Sequence, residues 1–290
     1  MLPIKLPGLP MFLCFTDLDG TFLNHDDYRY DAAVPTVQAL KKLDIPIIPT
    51  TSKTKAEVIN LRRELGLQDP FIVENGSGIF LEPGDQRFDF SGLDLNIAVN
   101  QGFTMITLGI TYDQARQNLQ DLATQLGEPL RGFGDLGLPE LRALTQLPIS
   151  KLKQAGDRQF SEPFLRPQAD LKILETLAAE AGLQILVGNR FCHLLGAGAG
   201  KGRAVNLVRQ AWQKAHPDQG PVKTIGLGDS PNDLSLLDAV DVAIVVPGPQ
   251  GVNPKLLPHS LKKGWFIAPE PGAAGWAGAI EAQLQKFVGP

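Results

Sequence analysis

The feature that most constrains this chain is an alternation. Short, continuous apolar runs end in small or polar residues, and segments with helical spacing separate them. The runs cover residues 12–16, 45–50, 70–73, 222–227 and 242–246. Helical patterns lie at 31–43, 54–66, 201–215 and 231–240. A strand buried on both faces reads as an unbroken apolar run, and parallel strands need crossover helices, so this order predicts an α/β fold around a parallel, Rossmann-like sheet. The pattern breaks between 84 and 187. There, 103–109 reads as a strand, and 112–126 as an amphipathic helix with Tyr112, Ala115, Leu119, Leu122 and Leu126 on one stripe and Thr111 placed to cap it. Residues 168–181 repeat that pattern through Leu171, Leu174, Leu177 and Ala178. The spacing therefore predicts a split core, 1–83 with 188–290, around an inserted α/β domain at 84–187. A length of 290 residues leaves room for both.

Composition narrows the function. The chain carries 27 basic and 31 acidic residues, a formal charge of −4, which weighs against nucleic-acid and anionic-membrane partners. No apolar run reaches the ~18 residues of a spanning helix. The apolar N-terminus, MLPIKLPGLPMFLCF, is interrupted by three prolines, lacks a small-residue cleavage site, and reads as an extended lead-in to the first strand. Two cysteines, Cys14 and Cys192, both in apolar runs, exclude a disulfide framework and a cysteine-based zinc cluster and fit a reducing cytoplasm. Trp212, on the 201–215 helix with Val205 and Val208, reads as core.

Chemistry-bearing residues gather at the ends of the apolar runs. Asp17-Leu18-Asp19-Gly20-Thr21 follows the first. In extended chain, side chains two apart share a side, so Asp17 and Asp19 can enter one pocket at the carboxyl end of a parallel strand. Two close carboxylates repel, and a hard divalent ion such as Mg²⁺ relieves them. An EF-hand is excluded, because its loop needs Gly at position six and Glu at twelve, where Gly20 is fourth and Tyr28 twelfth. A second acidic string, Gly228-Asp229-Ser230-Pro231-Asn232-Asp233, ends the fourth run, with Pro231 suited to a helix start. Thr50 to Thr54 (TTSKT) follows the second run and offers hydroxyls and an ammonium suited to phosphate. The glycine-rich run 196–200 before Lys201 is not a P-loop, since Leu195 replaces its first Gly and Gly202 its Ser or Thr. Nor is it a dinucleotide fingerprint, since Lys201 stands at the third glycine. It reads as a flexible turn before a lysine that opens a helix.

The order of these strings resembles the haloacid dehalogenase (HAD) superfamily of phosphotransferases, whose four motifs match Asp17–Thr21, Thr51, Lys201 and 228–233. The segments TTSKTKAEV at 50–58, PFIVENG at 70–76, SEPF at 161–164 and GNRFCHL at 188–194 are similar to mannosyl-3-phosphoglycerate phosphatases. The resemblance spans nearly the whole chain and implies a HAD core carrying an inserted α/β cap. It implies that Asp17 is a nucleophile forming an aspartyl-phosphate. Asp19 would then be the acid and base for the leaving oxygen and the water, and Thr51 and Lys201 the ligands of the phosphoryl oxygens. Mg²⁺ is expected on Asp17, on the carbonyl of Asp19 and on Asp229, with Asp233 either a further acidic ligand or a partner behind these ligands. Lys53, Glu74 and Asn75 near the core mouth, Arg158, Ser161 and Glu162 in the cap, and Arg190 and His193 at its return are expected to contact substrate, with Arg158 suited to a glycerate carboxylate. The implied reaction releases a compatible-solute glycosylglycerate from a small-molecule sugar phosphate. Sucrose phosphate, a hexose phosphate, or non-catalytic binding of a sugar phosphate are the rival expectations.

Overall fold

The structure, a computed structural model, describes residues 11–188 and 191–288. Arg190 and the first ten residues of the N-terminal lead-in lie outside them. Five parallel strands form the central sheet: β1 (Phe12–Thr16), β2 (Ile47–Pro49), and the later strands 223–228, 242–245 and 266–267. Within β1, Phe12 and Cys14 face one apolar cluster while Leu13 and Phe15 face another, as period-two geometry requires. The first cluster is closed by α1 (Val34–Lys42) and α2 (Lys55–Leu65), the second by the helix 201–215, which buries Val205, Val208 and Trp212. Both faces are thus covered, which is why β1 is apolar throughout. The helix expected at 54–66 is held at both ends: Thr54 and Glu57 cap each other's backbone, and Gly66 closes it at φ 62°.

The third apolar run departs from expectation. β3 (Phe71–Val73) touches the parallel sheet through one bridge, Thr50 to Ile72. It then turns back as an antiparallel hairpin with β4 (Gly78–Leu81). The reversal is made by Glu74, Asn75 and Gly76, all left-handed at φ 49°, 58° and 86°. β5 (Asn96–Asn100) and β6 (Phe103–Thr107) complete this second sheet in the order β3-β4-β6-β5.

A third, antiparallel sheet has the order β7-β9-β8, from β7 (Glu162–Phe164), β8 (Leu183–Val187) and β9 (Cys192–Gly196). It packs under α3 (Tyr112–Leu126) and α6 (Leu171–Glu180), with α4 (Leu138–Thr145) and α5 (Ile149–Ala155) beside it. Met105 and Ile106 of β6 join the two core clusters, whereas Cys192 and Leu194 of β9 join the cluster of the third sheet.

The remaining elements are α7 (Lys201–Ala215), β10 (Lys223–Gly228), α8 (Leu234–Asp238), β11 (Val242–Val245), α9 (Leu257–Lys263), β12 (Phe266–Ile267) and α10 (Gly272–Val288). The central sheet runs β12-β11-β10-β1-β2. The glycine run before α7 is close-packed rather than loose. A Cβ on Gly198 would stand 2.4 Å from the Leu108 carbonyl oxygen, and one on Gly196 3.1 Å from Gly109 Cα. The two strands of chain that join the core to the third sheet, 108–110 outbound and 196–200 on return, thus lie backbone against backbone. Arg203 rivets them by donating to Leu108 O at 3.3 Å and to Gly198 O. No helix among the described residues is long and apolar enough to cross a membrane.

Candidate active site

Asp17, Thr51 and Asp229 each follow the carboxyl end of a parallel strand, β1, β2 and β10. Adjacent strands place them side by side: Asp17 N donates to Leu227 O at 2.9 Å, and Thr50 N to Thr16 O at 2.7 Å. Lys201, the first residue of α7, reaches in from beneath. Its Nζ lies 2.7 Å from Asp17 Oδ1 and 2.6 Å from Asp233 Oδ1, and it is almost wholly buried. The second oxygen of Asp233 accepts the amides of Asp229 and Ser230, both at 3.1 Å. One carboxylate oxygen each of Asp17, Asp229 and Asp233 lies within 4.8 Å of the others.

Three carboxylates face one ammonium there, a surplus of two negative charges in a largely buried place. Burial pushes the Asp17 carboxyl up to about 7; Lys201 opposes the rise and Asp233 adds to it. Burial, followed by the charge of Asp233, pushes Asp229 to about 9. Burial would lower the Lys201 ammonium, but Asp17 and Asp233 outweigh it and hold its pKa above the ordinary value. An all-oxygen set with this surplus suits a hard divalent cation, which would cancel the charge that burial penalises.

The carboxylate of Asp19 stands apart from this cluster and pairs through Oδ2 with Lys53 Nζ at 2.9 Å. Lys53 also meets Glu57 at 3.4 Å and lies 5.5 Å from the centre of the Tyr28 ring. Burial would lower its pKa; Asp19 and Glu57 raise it further than burial lowers it. Thr51 is fully buried, and its hydroxyl oxygen accepts the Lys53 amide at 3.2 Å.

The left-handed Glu74-Asn75-Gly76 turn joins all of this. Asn75 N donates to Thr51 O at 2.9 Å, and Asn232 Nδ2 to Asn75 Oδ1 at 3.1 Å. Gly200 N donates to Gly76 O at 3.3 Å. A Cβ on Gly76 would lie 2.2 Å from the Gly200 carbonyl carbon and 2.5 Å from Lys201 N. The turn is the seat of α7 and so of Lys201. Gly76 and Asn232 are not among the site residues expected from the sequence, although both lie inside the family-like strings at 70–76 and 228–233.

The residues expected at the substrate separate into different roles. The buried Glu74 carboxylate accepts from Gln159 N at 2.8 Å, Phe160 N at 3.2 Å and Ser161 Oγ at 2.6 Å. Arg158 lies 3.4 Å from the same carboxylate and donates to Ser161 O at 3.0 Å and Ser52 O at 3.3 Å. Glu74, Arg158 and Ser161 thus form a clasp between the two sheets' loops. Glu162 lies deeper in the third-sheet unit, accepting from Arg116 at 3.0 Å and Gly134 N at 2.9 Å. His193 sits half-buried on β9; burial, then the charges of Arg158 and Lys201, depress it to about 3, so its imidazole is neutral.

Residues 14–98 match the model of the haloacid dehalogenase-like hydrolase family. The chain is 38% identical over 274 residues to a glucosyl-3-phosphoglycerate/mannosyl-3-phosphoglycerate phosphatase of Persephonella marina, covering 94% of this chain and 97% of that one. A phosphatase of the same name from Methanococcoides burtonii is 37% identical over 278 residues, with the same coverages. Among solved structures, a phosphatase of the HAD enzyme superfamily from Bacteroides thetaiotaomicron superposes with a TM-score of 0.65 at 14% identity, covering 98% of each chain, and shares the fold. With a sheet that brings Asp17, Lys201, Asp229 and Asp233 together and relatives this close along nearly its whole length, the chain is a phosphoric monoester hydrolase of the glucosyl-3-phosphoglycerate/mannosyl-3-phosphoglycerate phosphatase family.

Proposed function

We propose that the chain hydrolyses a glycosyl-3-phosphoglycerate to the glycosylglycerate and inorganic phosphate through a phosphorylated Asp17. The observation that carries this reading is the Lys201-centred carboxylate cluster, with the Asp19–Lys53 pair beside it. Asp17, Asp229 and Asp233, with the Asp19 carbonyl, would hold Mg²⁺, which neutralises phosphoryl charge when bound. Asp17 attacks phosphorus, forming a P–O bond as the bond to the glycerate oxygen breaks, and Asp19 delivers a proton to that oxygen. Asp19 then takes a proton from water, which attacks the aspartyl-phosphate and returns the free Asp17 carboxylate. Thr51 and Lys201 donate to the phosphoryl oxygens while charge moves among them.

Packing supports taking about 109–197 as the cap over this site, rather than 84–187. Lys53, Asn75 and His193 remain its candidate polar contacts with substrate. Arg158 is the more constrained, since its guanidinium already holds Ser161 and Ser52. A cytoplasmic setting belongs to the same reading and is supported by two buried free thiols. The test is a hydrolysis panel with Mg²⁺ present: glucosyl- and mannosyl-3-phosphoglycerate against sucrose phosphate and hexose phosphates. Preference for either of the last two overturns the substrate, and no phosphate from any of them overturns the activity.

A further inference from the structure

β5 forms the outer edge of the second sheet, and no strand pairs with that edge among the described residues. Its residues are Asn96-Ile97-Ala98-Val99-Asn100. Edge strands ordinarily carry a charge, a proline or a bulge that blocks pairing, and this one carries none. Val99 is 82% and Ile97 46% exposed, both β-branched and on the same face. The strand end is also held in place, because Lys55 Nζ donates to Asn100 Oδ1 at 2.6 Å. A stiff, uncharged, apolar edge of this kind is a template for another strand.

We propose that a second copy of this chain pairs with it, antiparallel, about a two-fold axis at Ala98. The segment is nearly its own mirror: Asn96 would face Asn100 of the second copy, Ile97 would face Val99, and Ala98 would face Ala98. The rows already present in the sheet then run on across the axis. Ile79, Ile106 and Ile97 stand opposite one another, and Val99, Thr104 and Leu81 of the second copy continue that row. On the other face Phe71, Phe80, Met105 and Ala98 stand in line and meet the same line reversed. Aliphatic and β-branched cross-strand pairs of this sort stabilise a sheet. Asp94 falls opposite Gly102, so no like charges meet. The result is one continuous eight-stranded sheet, with the third sheet and the carboxylate cluster left outside the interface. A five-residue edge is about 17 Å long at 3.4 Å per residue, a small interface, so the dimer is concentration-dependent.

Sedimentation of the full chain across a hundredfold range of concentration tests this, with Val99→Lys and Ala98→Cys variants alongside. The expected result is a monomer–dimer equilibrium that Val99→Lys shifts to monomer with unchanged phosphatase activity. Val99 is exposed, and circular dichroism checks that the variant is folded. Ala98→Cys is expected to cross-link to a covalent dimer on mild oxidation, because the Ala98 pair is directly opposed and Cys14 and Cys192 are buried. A monomer at every concentration overturns the proposal. A dimer indifferent to Val99→Lys, or one that Ala98→Cys does not cross-link, overturns it as well.

Discussion

Replacing Gly76 by alanine is expected to displace Lys201 without touching its side chain. The added Cβ would lie 2.2–2.5 Å from the Gly200 carbonyl and Lys201 amide, all of it backbone that cannot rotate aside. Restoring ordinary contact requires the start of α7 to retreat by about 1 Å, beyond what bonds of 2.6 and 2.7 Å from Lys201 Nζ can absorb. A displacement of that size is worth about 100-fold in kcat. Stability falls for two reasons: a left-handed φ of 86° costs an L-residue roughly 1–2 kcal/mol, and the overlap adds about 1–3 kcal/mol. Gly84→Ala separates them, since Gly84 is also left-handed at φ 72° but meets nothing within 4 Å. The difference between the two variants, about 1–3 kcal/mol, corresponds to roughly 2–12 °C in Tm. Steady-state kinetics and thermal melts of both are the assay. If Gly76→Ala keeps kcat within a few-fold of Gly84→Ala, the turn does not position Lys201.

Asp17→Asn is expected to abolish phosphate release with little change in Tm; activity above a tenth of the wild type would exclude Asp17 as the nucleophile. Asp17 and Asp229 hold protons in the fold up to about 7 and about 9 but release them near their ordinary values when unfolded, so the metal-free protein loses stability as pH rises from about 4 through that window. Mg²⁺ binds the ionised carboxylates, so its gain in Tm grows from about pH 5 to pH 8, and a gain independent of pH would refute the charge argument. Chelation by EDTA stops turnover and Mg²⁺ restores it; full turnover without metal would refute the metal site. Glu74→Gln leaves buried donors facing an amide and costs about 3 kcal/mol. A double-mutant cycle with Ser161→Ala, read by denaturant melts, returns a coupling of about 1–3 kcal/mol, and simple additivity would show that the clasp is not one.

The parts of this fold legible in the sequence are those whose cause is local. β1 and α7 begin and end where the apolar run and the helical stripe place them, since burial on both faces and an amphipathic stripe leave their marks in consecutive residues. The acidic strings were legible for the same reason: their position at a strand end is itself the chemistry. The destination of β3 was not, because three left-handed residues decide it and two of them are not glycine. β5 has both faces in solvent and so shows no alternation to detect. Arg158 looked free for a carboxylate because its partner, Glu74, lies far away along the chain. Gly196 and Gly198 read as a flexible turn because the backbone they press against belongs to 108–110.

That pressed pair of connections has a consequence for how the molecule is built. The chain leaves the core and re-enters it through one doorway, so the ends of the inserted unit are neighbours in space. A short linker across that doorway would close the core with little loop entropy, and the excised piece would carry its own apolar centre and its own joined ends. In the cap division proposed above, the inserted unit would be tied to the core twice, at this doorway and at the Glu74–Arg158–Ser161 clasp, so a cut at the doorway alone would not free it.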